Sequence, residues 1–320
     1  MRKNLILLGL SGLLAAGAAA AQASLPYWAY PVPKPVPGAA APKLDNTVPK
    51  TLPGSKKRFT EAGVNDRFSV PDWYPADHPA APQIVLHGRK PNVFACGYCH
   101  LPNGQGRPDN ASLAGQPADY IVSQVADMRE GHRKSSTDKM GSINGMMGIA
   151  KASNDAEVRI AANYFSKLKF HKWIRVVETD TVPKTEISSH NMLVAARSGR
   201  EPIGKRIIEM PENLDRIELR DPRTGFVAYV PKGAVARGKK LVESGAGAFP
   251  CAACHGPKYG GNGAVPALAG RSPSELVRQL YDFKSGTRDG AGSAMMKPEV
   301  ANMTDDMRLD IAAYLSSLEP

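Results

Sequence analysis

The chain has little cysteine, few aromatic residues and, beyond its N-terminal segment, no long apolar run. Its 320 residues include only four cysteines, and aromatic residues make up 7%. No stretch after residue 21 is apolar for long enough to span a bilayer, which excludes a protein with several membrane spans. No run dense in Lys and Arg is interleaved with aromatics, so nucleic-acid binding finds no support despite a formal net charge of +11.

All four cysteines fall in two copies of one five-residue pattern. Cys96-Gly97-Tyr98-Cys99-His100 and Cys251-Ala252-Ala253-Cys254-His255 each place two thiols and an imidazole on one helical turn. Two thioether bonds and a histidine beneath the iron are what covalent attachment of haem c requires. Zinc ribbons and dithiol redox sites also use Cys-x-x-Cys, but neither needs the histidine. The sequence therefore predicts two covalently bound haem c groups.

The N-terminal segment is typical of a secretory signal. Arg2 and Lys3 precede an apolar run over residues 5–21, and Ala21-Gln22-Ala23 forms a small-x-small cleavage site. We therefore expect residues 1–23 to be a signal peptide and the mature protein to be periplasmic. The alternative is that this segment stays uncleaved and anchors the protein in the membrane. Otherwise we expect the protein to associate with a membrane only by binding partner proteins. Cysteines used as thioethers leave none for disulfides.

The two signatures belong to an internal repeat. Displaced by 155 residues, residues 96–131 align on residues 251–286 without a gap. A shorter loop then resets the offset to 150, and Tyr164 aligns with Tyr314. Both copies have helical periodicity, which predicts two domains at residues 86–170 and 233–320.

Cap residues and the spacing of apolar and small residues predict where the helices of each copy lie. In the second copy we expect helices at residues 234–244, from Ser272 and Pro273 to Gly286, and at residues 304–318. In the first copy we expect the middle helix to end at Gly131 and the last helix to span residues 154–168. Pro91 must make the opening helix of the first copy short or displaced.

Each haem iron needs a second axial ligand, for which methionine is the expected residue. Only Met146 and Met296 occupy matching positions before the last helix of each copy. The adjacent residues Met147 and Met295 are alternative candidates for the second ligand, and Met140 is a weaker candidate. The histidines need a carbonyl partner for the other ring nitrogen. We expect Ala111 to provide it for His100 and Pro266 for His255.

With these signatures, Leu-Ala-Gly at residues 113–115 and 268–270, and a methionine before each last helix, the chain resembles the dihaem class I cytochromes of the cytochrome c4 type. The resemblance covers both copies. It implies a mainly α fold of two tandem class I cytochrome c domains that relay electrons in the periplasm. It also implies that His100 and Met146 bind one iron and His255 and Met296 the other. Similar dihaem domains act as electron-accepting subunits of sulfide- or alcohol-oxidising enzymes.

Two segments lie outside the resemblance. Residues 24–85 are rich in proline and predict an extended arm, either a disordered tether or a segment anchored by Trp28, Tyr30, Trp73 and Tyr74. Residues 171–232 contain short β-prone runs and predict a small antiparallel hairpin or sheet. This inter-domain insertion would either brace the two domains or dock a dehydrogenase or oxidase.

The function expected from these features is single-electron transfer without catalysis. A dihaem peroxidase is the enzymatic alternative, but it needs an open or displaceable sixth position on at least one iron. His132 is the other residue that could replace a methionine ligand, but it has no counterpart in the second copy. Without Arg2 and Lys3, and with four haem carboxylates, the net charge falls from +11 to +5, which favours redox partners with acidic docking surfaces. The loop cluster Arg129, Arg133, Lys134 and Lys139 is predicted to lie around an exposed haem edge, either as a solvated rim or as a surface that steers an acidic redox partner.

Overall fold

The computed structural model describes residues 25–33 and 43–320. The predicted signal peptide and its cleavage site therefore lie outside the described residues. Across the two described ranges, no helix combines the length and the apolar character needed to cross a membrane. This part of the chain is rich in helices and carries two small sheets.

The first half of the chain is helical. Its helices are α1 (Glu61–Val64), α2 (Gln83–Leu86), α3 (Cys96–His100), α4 (Ala118–Glu130), α5 (Gly141–Ala152) and α6 (Asp155–Ser166). The opening helix of the first repeat is short, as Pro91 required. Helix α5 lies where the sequence indicated only a loop, because three glycines in its twelve residues give it poor intrinsic helix propensity. Packing of its apolar side chains on α4 overrides that preference.

The central segment contains five strands and one short helix. These are β1 (Ile174–Thr179), β2 (Thr181–Ile187), β3 (Leu193–Pro202), β4 (Ile208–Pro211), α7 (Leu214–Glu218) and β5 (Phe226–Pro231). Strands β2 and β3 form an antiparallel pair. Strand β5 lies between β1 and β4, antiparallel to β4 but parallel to β1. The expectation of purely antiparallel pairing was wrong for β1 and β5, because pairing between strands so distant in sequence leaves no local pattern.

The second repeat forms the second lobe. Its helices are α8 (Ala234–Ser244), α9 (Ala252–His255), α10 (Pro273–Ser285), α11 (Met296–Val300) and α12 (Asp305–Ser317). Helix α8 crosses α12 closely, because Gly238 lies directly against the backbone carbonyl of Asp310. Arg237 adds a two-pronged ion pair with the Asp310 carboxylate, at 2.7 and 2.8 Å.

Cap residues set the ends of the long helices in both lobes. Asn154 and Glu157 form a reciprocal capping box at the start of α6. Ser272 accepts a hydrogen bond from the backbone N–H of Glu275 at the start of α10. Gly131 and Gly286 end α4 and α10 with φ of +83° and +75°, a conformation that glycine adopts without strain.

The described part of the arm packs against the rest of the chain. Trp28 and Tyr30 are buried in the core shared by the central segment and the second lobe. Trp73 and Tyr74 are buried in a separate small cluster, and the Trp73 indole donates to the carbonyl of Leu219 at 2.7 Å. The aromatic residues therefore act as anchors on the chain's own domains.

A buried carboxylate joins the central sheet to the second lobe. Glu209 of β4 accepts hydrogen bonds from the Ser272 hydroxyl at 2.7 Å and from the Ser274 N–H at 3.1 Å, and also from the Ser274 hydroxyl. Burial raises the pKa of Glu209, although these donors oppose the shift. The native protein therefore keeps this proton to a higher pH than the unfolded chain does. Titration of Glu209 consequently lowers the free energy of unfolding as pH rises from the pKa of this group in the unfolded chain towards its pKa in the folded protein.

We expect Glu209→Gln to lose less stability than the wild type as pH rises from about 4 to 7. The amide keeps an acceptor oxygen for the serines but carries no charge to desolvate. Guanidinium titrations at several pH values measure the free energy of unfolding. Glu212→Gln, at a more exposed site paired with Arg175, is the matched control. A pH dependence of Glu209→Gln parallel to that of the wild type would contradict this account.

Candidate functional site

The histidine of each five-residue pattern is held by a backbone carbonyl. His100 Nδ1 lies 2.8 Å from the carbonyl oxygen of Ala111, and His255 Nδ1 lies 2.9 Å from that of Pro266. Because a carbonyl only accepts, Nδ1 carries the hydrogen, and Nε2 keeps its lone pair for a metal. Burial lowers the pKa of both histidines, which favours this neutral form. The expected carbonyl partners are confirmed.

A cavity of about 450 Å³ lies beside α3 in the first lobe. It brings His100 together with Cys96 and Cys99 and with the thioethers of Met140 and Met146. Met147 is not among its lining residues. The remaining wall includes apolar side chains from α4, α5 and α6: Ile121, Val125, Met128, Ile149, Val158, Ala161 and Phe165. Met146 and Met147 are both half-buried against the same apolar cluster, but of the two Met146 lines the cavity, and the fully buried Met140 lines it as well.

The two methionine candidates in the second lobe differ in exposure. Met295 ends a 3-10 turn and is 66% exposed. Met296 begins α11 and is partly buried against the core that contains Leu276 and Val277 of α10. His255 lies at the end of α9 and is buried. The inward-facing candidate in this lobe is therefore Met296.

The donor set fits a covalently attached haem. The cavity is mainly apolar and offers paired thiols, a neutral imidazole and a thioether, which are the groups that haem c requires. Burial raises the pKa of Cys96 to about 12 and that of Cys251 to about 11. These thiols therefore stay protonated, unlike the reactive cysteines of dithiol redox sites. Nor, among residues 25–33 and 43–320, do the four cysteines meet in a cluster suited to a metal ion.

Two arginines meet between the lobes at positions related by the repeat. Arg133 donates to the side-chain oxygens of Gln124 and Gln279, at 3.0 and 3.1 Å. Arg288 donates to the same two oxygens, each at 2.8 Å, and to the Tyr120 hydroxyl at 3.0 Å. Burial, with the charge of Arg288 adding to it, lowers the pKa of Arg133. Arg133 also lines the cavity, where its cation would offset the charge of the carboxylates of a bound haem.

The predicted basic rim is only partly present. Arg129 binds the carbonyls of Ala150 and Ser153 and the carboxylate of Asp155, so it ties α4 to the end of α5 and the start of α6. The planar guanidinium group of Arg129 suits that bridging role. Arg133 lies in the interface between the lobes, where it binds glutamine side-chain oxygens. Lys134 and Lys139 remain exposed. The two lysines therefore fit a solvated rim, whereas the two half-buried arginines make contacts within the protein.

Sequence reasoning missed the polar contacts that join the lobes. Arg271 donates to the carbonyls of Ser112 and Ala114, at 2.8 and 2.9 Å. The repeat-matched Gln116 exchanges two hydrogen bonds with the backbone of Ala267. The sequence feature that could have predicted these contacts is a long polar side chain at matched positions of the repeat. Whether such side chains meet depends on how the lobes pack, which the sequence pattern does not show. His132, considered as a ligand, is exposed and does not line the cavity.

Comparison with known proteins agrees with this geometry. The Cytochrome c family model matches residues 235–319. The thiosulfate dehydrogenase electron acceptor of Thiomonas intermedia is 27% identical over 76% of this chain and 83% of its own length. Cytochrome c4 of Azotobacter vinelandii is 25% identical over 70% of this chain and 83% of its own length. Cytochrome c-554(547) of Halothiobacillus neapolitanus is 33% identical over 27% of this chain and 99% of its own length.

These relatives are electron-transfer proteins, and the match to cytochrome c-554(547) spans almost all of that relative. Covalently bound haem c is the cofactor of this family, and the two Cys-x-x-Cys-His patterns are its attachment sequences. The protein therefore transfers electrons and is a carrier rather than an enzyme. The chain belongs to the class I c-type cytochromes and resembles the cytochromes c4.

Proposed function

We propose that the chain is a periplasmic dihaem cytochrome that passes single electrons from a dehydrogenase or quinol-oxidising complex to a terminal acceptor such as an oxidase. One haem would be attached in residues 86–170 and the other in residues 233–320. Residues 1–23 would direct export. The observation that carries the proposal is the repeated histidine geometry. His100 and His255 each donate from Nδ1 to a backbone carbonyl oxygen, at 2.8 and 2.9 Å.

In this proposal His100 and Met146 would bind one haem iron, and His255 and Met296 would bind the other. When bound, the haem supplies a one-electron couple between ferrous and ferric iron. The carbonyls of Ala111 and Pro266 orient the imidazoles and strengthen them as ligands. The apolar side chains of α4, α5 and α6 exclude water from the first cavity. Arg133 offsets the charge of the haem carboxylates.

A second candidate is an electron-accepting subunit of a periplasmic dehydrogenase complex. The similarity to the thiosulfate dehydrogenase electron acceptor of Thiomonas intermedia favours this role. The arm and the insertion would then supply contact surface beyond the two lobes. Purification of the native complex under mild conditions distinguishes a stable subunit from a free carrier.

Optical spectroscopy tests the two-haem proposal. We expect two haems per chain by alkaline pyridine titration, and a weak far-red band in the ferric state that reports sulfur bound to iron. Because a histidine and a methionine would hold each iron in this proposal, the reduced protein should bind little carbon monoxide. A single haem per chain, or rapid binding of carbon monoxide by the unmodified protein, would overturn the proposal.

A further inference from the structure

A second cavity, of about 1120 Å³, shares no lining residue with the haem cavity. Its walls come from residues 77–79 of the arm, from Asn103 and Gln105 of the first lobe, and from residues 171–176 of the insertion. It is therefore built largely by the two segments that the cytochrome c4 resemblance leaves unexplained. Its volume exceeds the roughly 300–1,000 Å³ usual for small-molecule pockets, so it has room for a segment of protein chain.

The charges that line this cleft are mostly positive. Five cationic side chains and two carboxylates lie along it: Lys167, Lys169, Lys172, Arg175, Arg223, Asp77 and Glu212. Both carboxylates are already engaged, Asp77 with Arg223 at 2.6 Å and Glu212 with Arg175 at 3.0 Å. Lys167 and Lys169 are exposed and have no carboxylate within ion-pair distance in the described part of the chain. The cleft thus offers unneutralised cations at its rim.

A tryptophan side chain lies in the wall of the cleft. The ring of Trp173 is held edge-to-face against Phe226, with the centroids 5.0 Å apart. Its indole N–H is buried and has no acceptor among the described residues. A ligand in the cleft would therefore change the surroundings of this N–H without accepting its hydrogen bond. Trp73 does not line the cleft, and its indole donates to the carbonyl of Leu219.

The cleft is linked to the first haem site by a short chain of hydrogen bonds. Gln105 donates to the carbonyl of His171 at 2.7 Å and accepts from its N–H at 3.2 Å. The backbone carbonyl of Gln105 accepts from the hydroxyl of Ser112. Ser112 directly follows Ala111, the residue that holds His100. A partner in the cleft would therefore lie beside the ligand loop of the first lobe.

We propose that this cleft is the docking site for an acidic segment of a partner protein. Lys167 and Lys169 would pair with its carboxylates, and the segment would lie against the side chain of Trp173. The positive surplus and the size of the cleft favour an acidic peptide segment over a small anion. The further statement that this partner exchanges electrons with the cytochrome rests on the proposed function.

Nuclear magnetic resonance on the full-length, reduced holoprotein tests the docking site. The chain has three tryptophans, so each indole N–H signal can be followed separately. A synthetic hexaglutamate peptide should shift the Trp173 signal saturably and leave that of Trp73 unchanged. We expect Lys167→Glu with Lys169→Glu to weaken binding about tenfold or more at low salt. Lys239→Glu with Lys240→Glu, exposed positions on α8 outside the cleft, should stay within about twofold of the wild type.

Four outcomes would overturn the proposal. They are an unmoved Trp173 signal, an equal effect of a hexaglutamine peptide, equal weakening by the α8 variant, and saturation of the same shift by sulfate alone at a matched concentration of charge. The last would assign the cleft to a small anion. Haem spectra of the same samples separate this test from the proposed function, since loss of the far-red band would contradict the two-haem relay but not the docking site.

Discussion

Met296→Ala should remove about half of the far-red ferric band and open one iron to carbon monoxide in the reduced state. Met296 packs against the core of the second lobe, and its thioether is the ligand that we propose for the iron beside His255. Met295 is 66% exposed, and Met295→Ala should leave both the band and the carbon monoxide response unchanged. Absorbance of the oxidised and reduced proteins measures both effects.

The first lobe supplies the parallel experiment. Met146→Ala should remove the other half of the band, whereas Met147→Ala should not, because Met147 does not line the cavity. Met140→Ala separates the two thioethers that do line it. If Met140→Ala loses the band and Met146→Ala keeps it, the ligand is Met140. Likewise, loss of the band in Met295→Ala alone would move the ligand of the second iron to Met295.

Gly238→Ala should destabilise the second lobe by about 3 kcal/mol or more. A Cβ atom at this position would lie 1.9 Å from the carbonyl oxygen of Asp310, a backbone atom that no rotamer change can move away. Helices α8 and α12 must therefore separate, which exposes the apolar surface between them. Chemical denaturation should show a lower midpoint with an unchanged slope, together with reduced retention of the second haem.

Gly148→Ala in α5 is the matched control. A Cβ atom at residue 148 would meet nothing within 4 Å, so the substitution should stabilise the helix by about 0.5–1 kcal/mol. The same chemical change is thus expected to have opposite signs at two helical glycines. Similar midpoints for the two variants would show that α8 and α12 tolerate a wider separation than their present contact.

Local patterns were informative wherever a short stretch of chain decides the outcome. The cap residues placed α6, α10 and α12 to within two residues, because a side chain that binds its own helix end acts over three or four positions. The carbonyl partners of the histidines followed from the repeat, since the loop between them has the same length in both copies.

Contacts between distant segments were not available from such patterns. Helix α5 forms despite three glycines because its apolar side chains pack on α4. The parallel pairing of β1 with β5 joins residues more than fifty positions apart. Arg129 and Arg133 have the composition of a solvated cluster, yet both bind oxygen acceptors that only folding brings near.

The amino-acid sequence by itself determined the cofactor chemistry, the duplication and the helices that carry both, because covalent attachment and capping need only neighbouring residues. The tertiary structure decided that Met295 is exposed while Met296 packs against the core, how the lobes meet through Arg133 and Arg288, and that arm and insertion together enclose a basic cleft. These features depend on burial and on the approach of residues far apart in the chain, which no local pattern records.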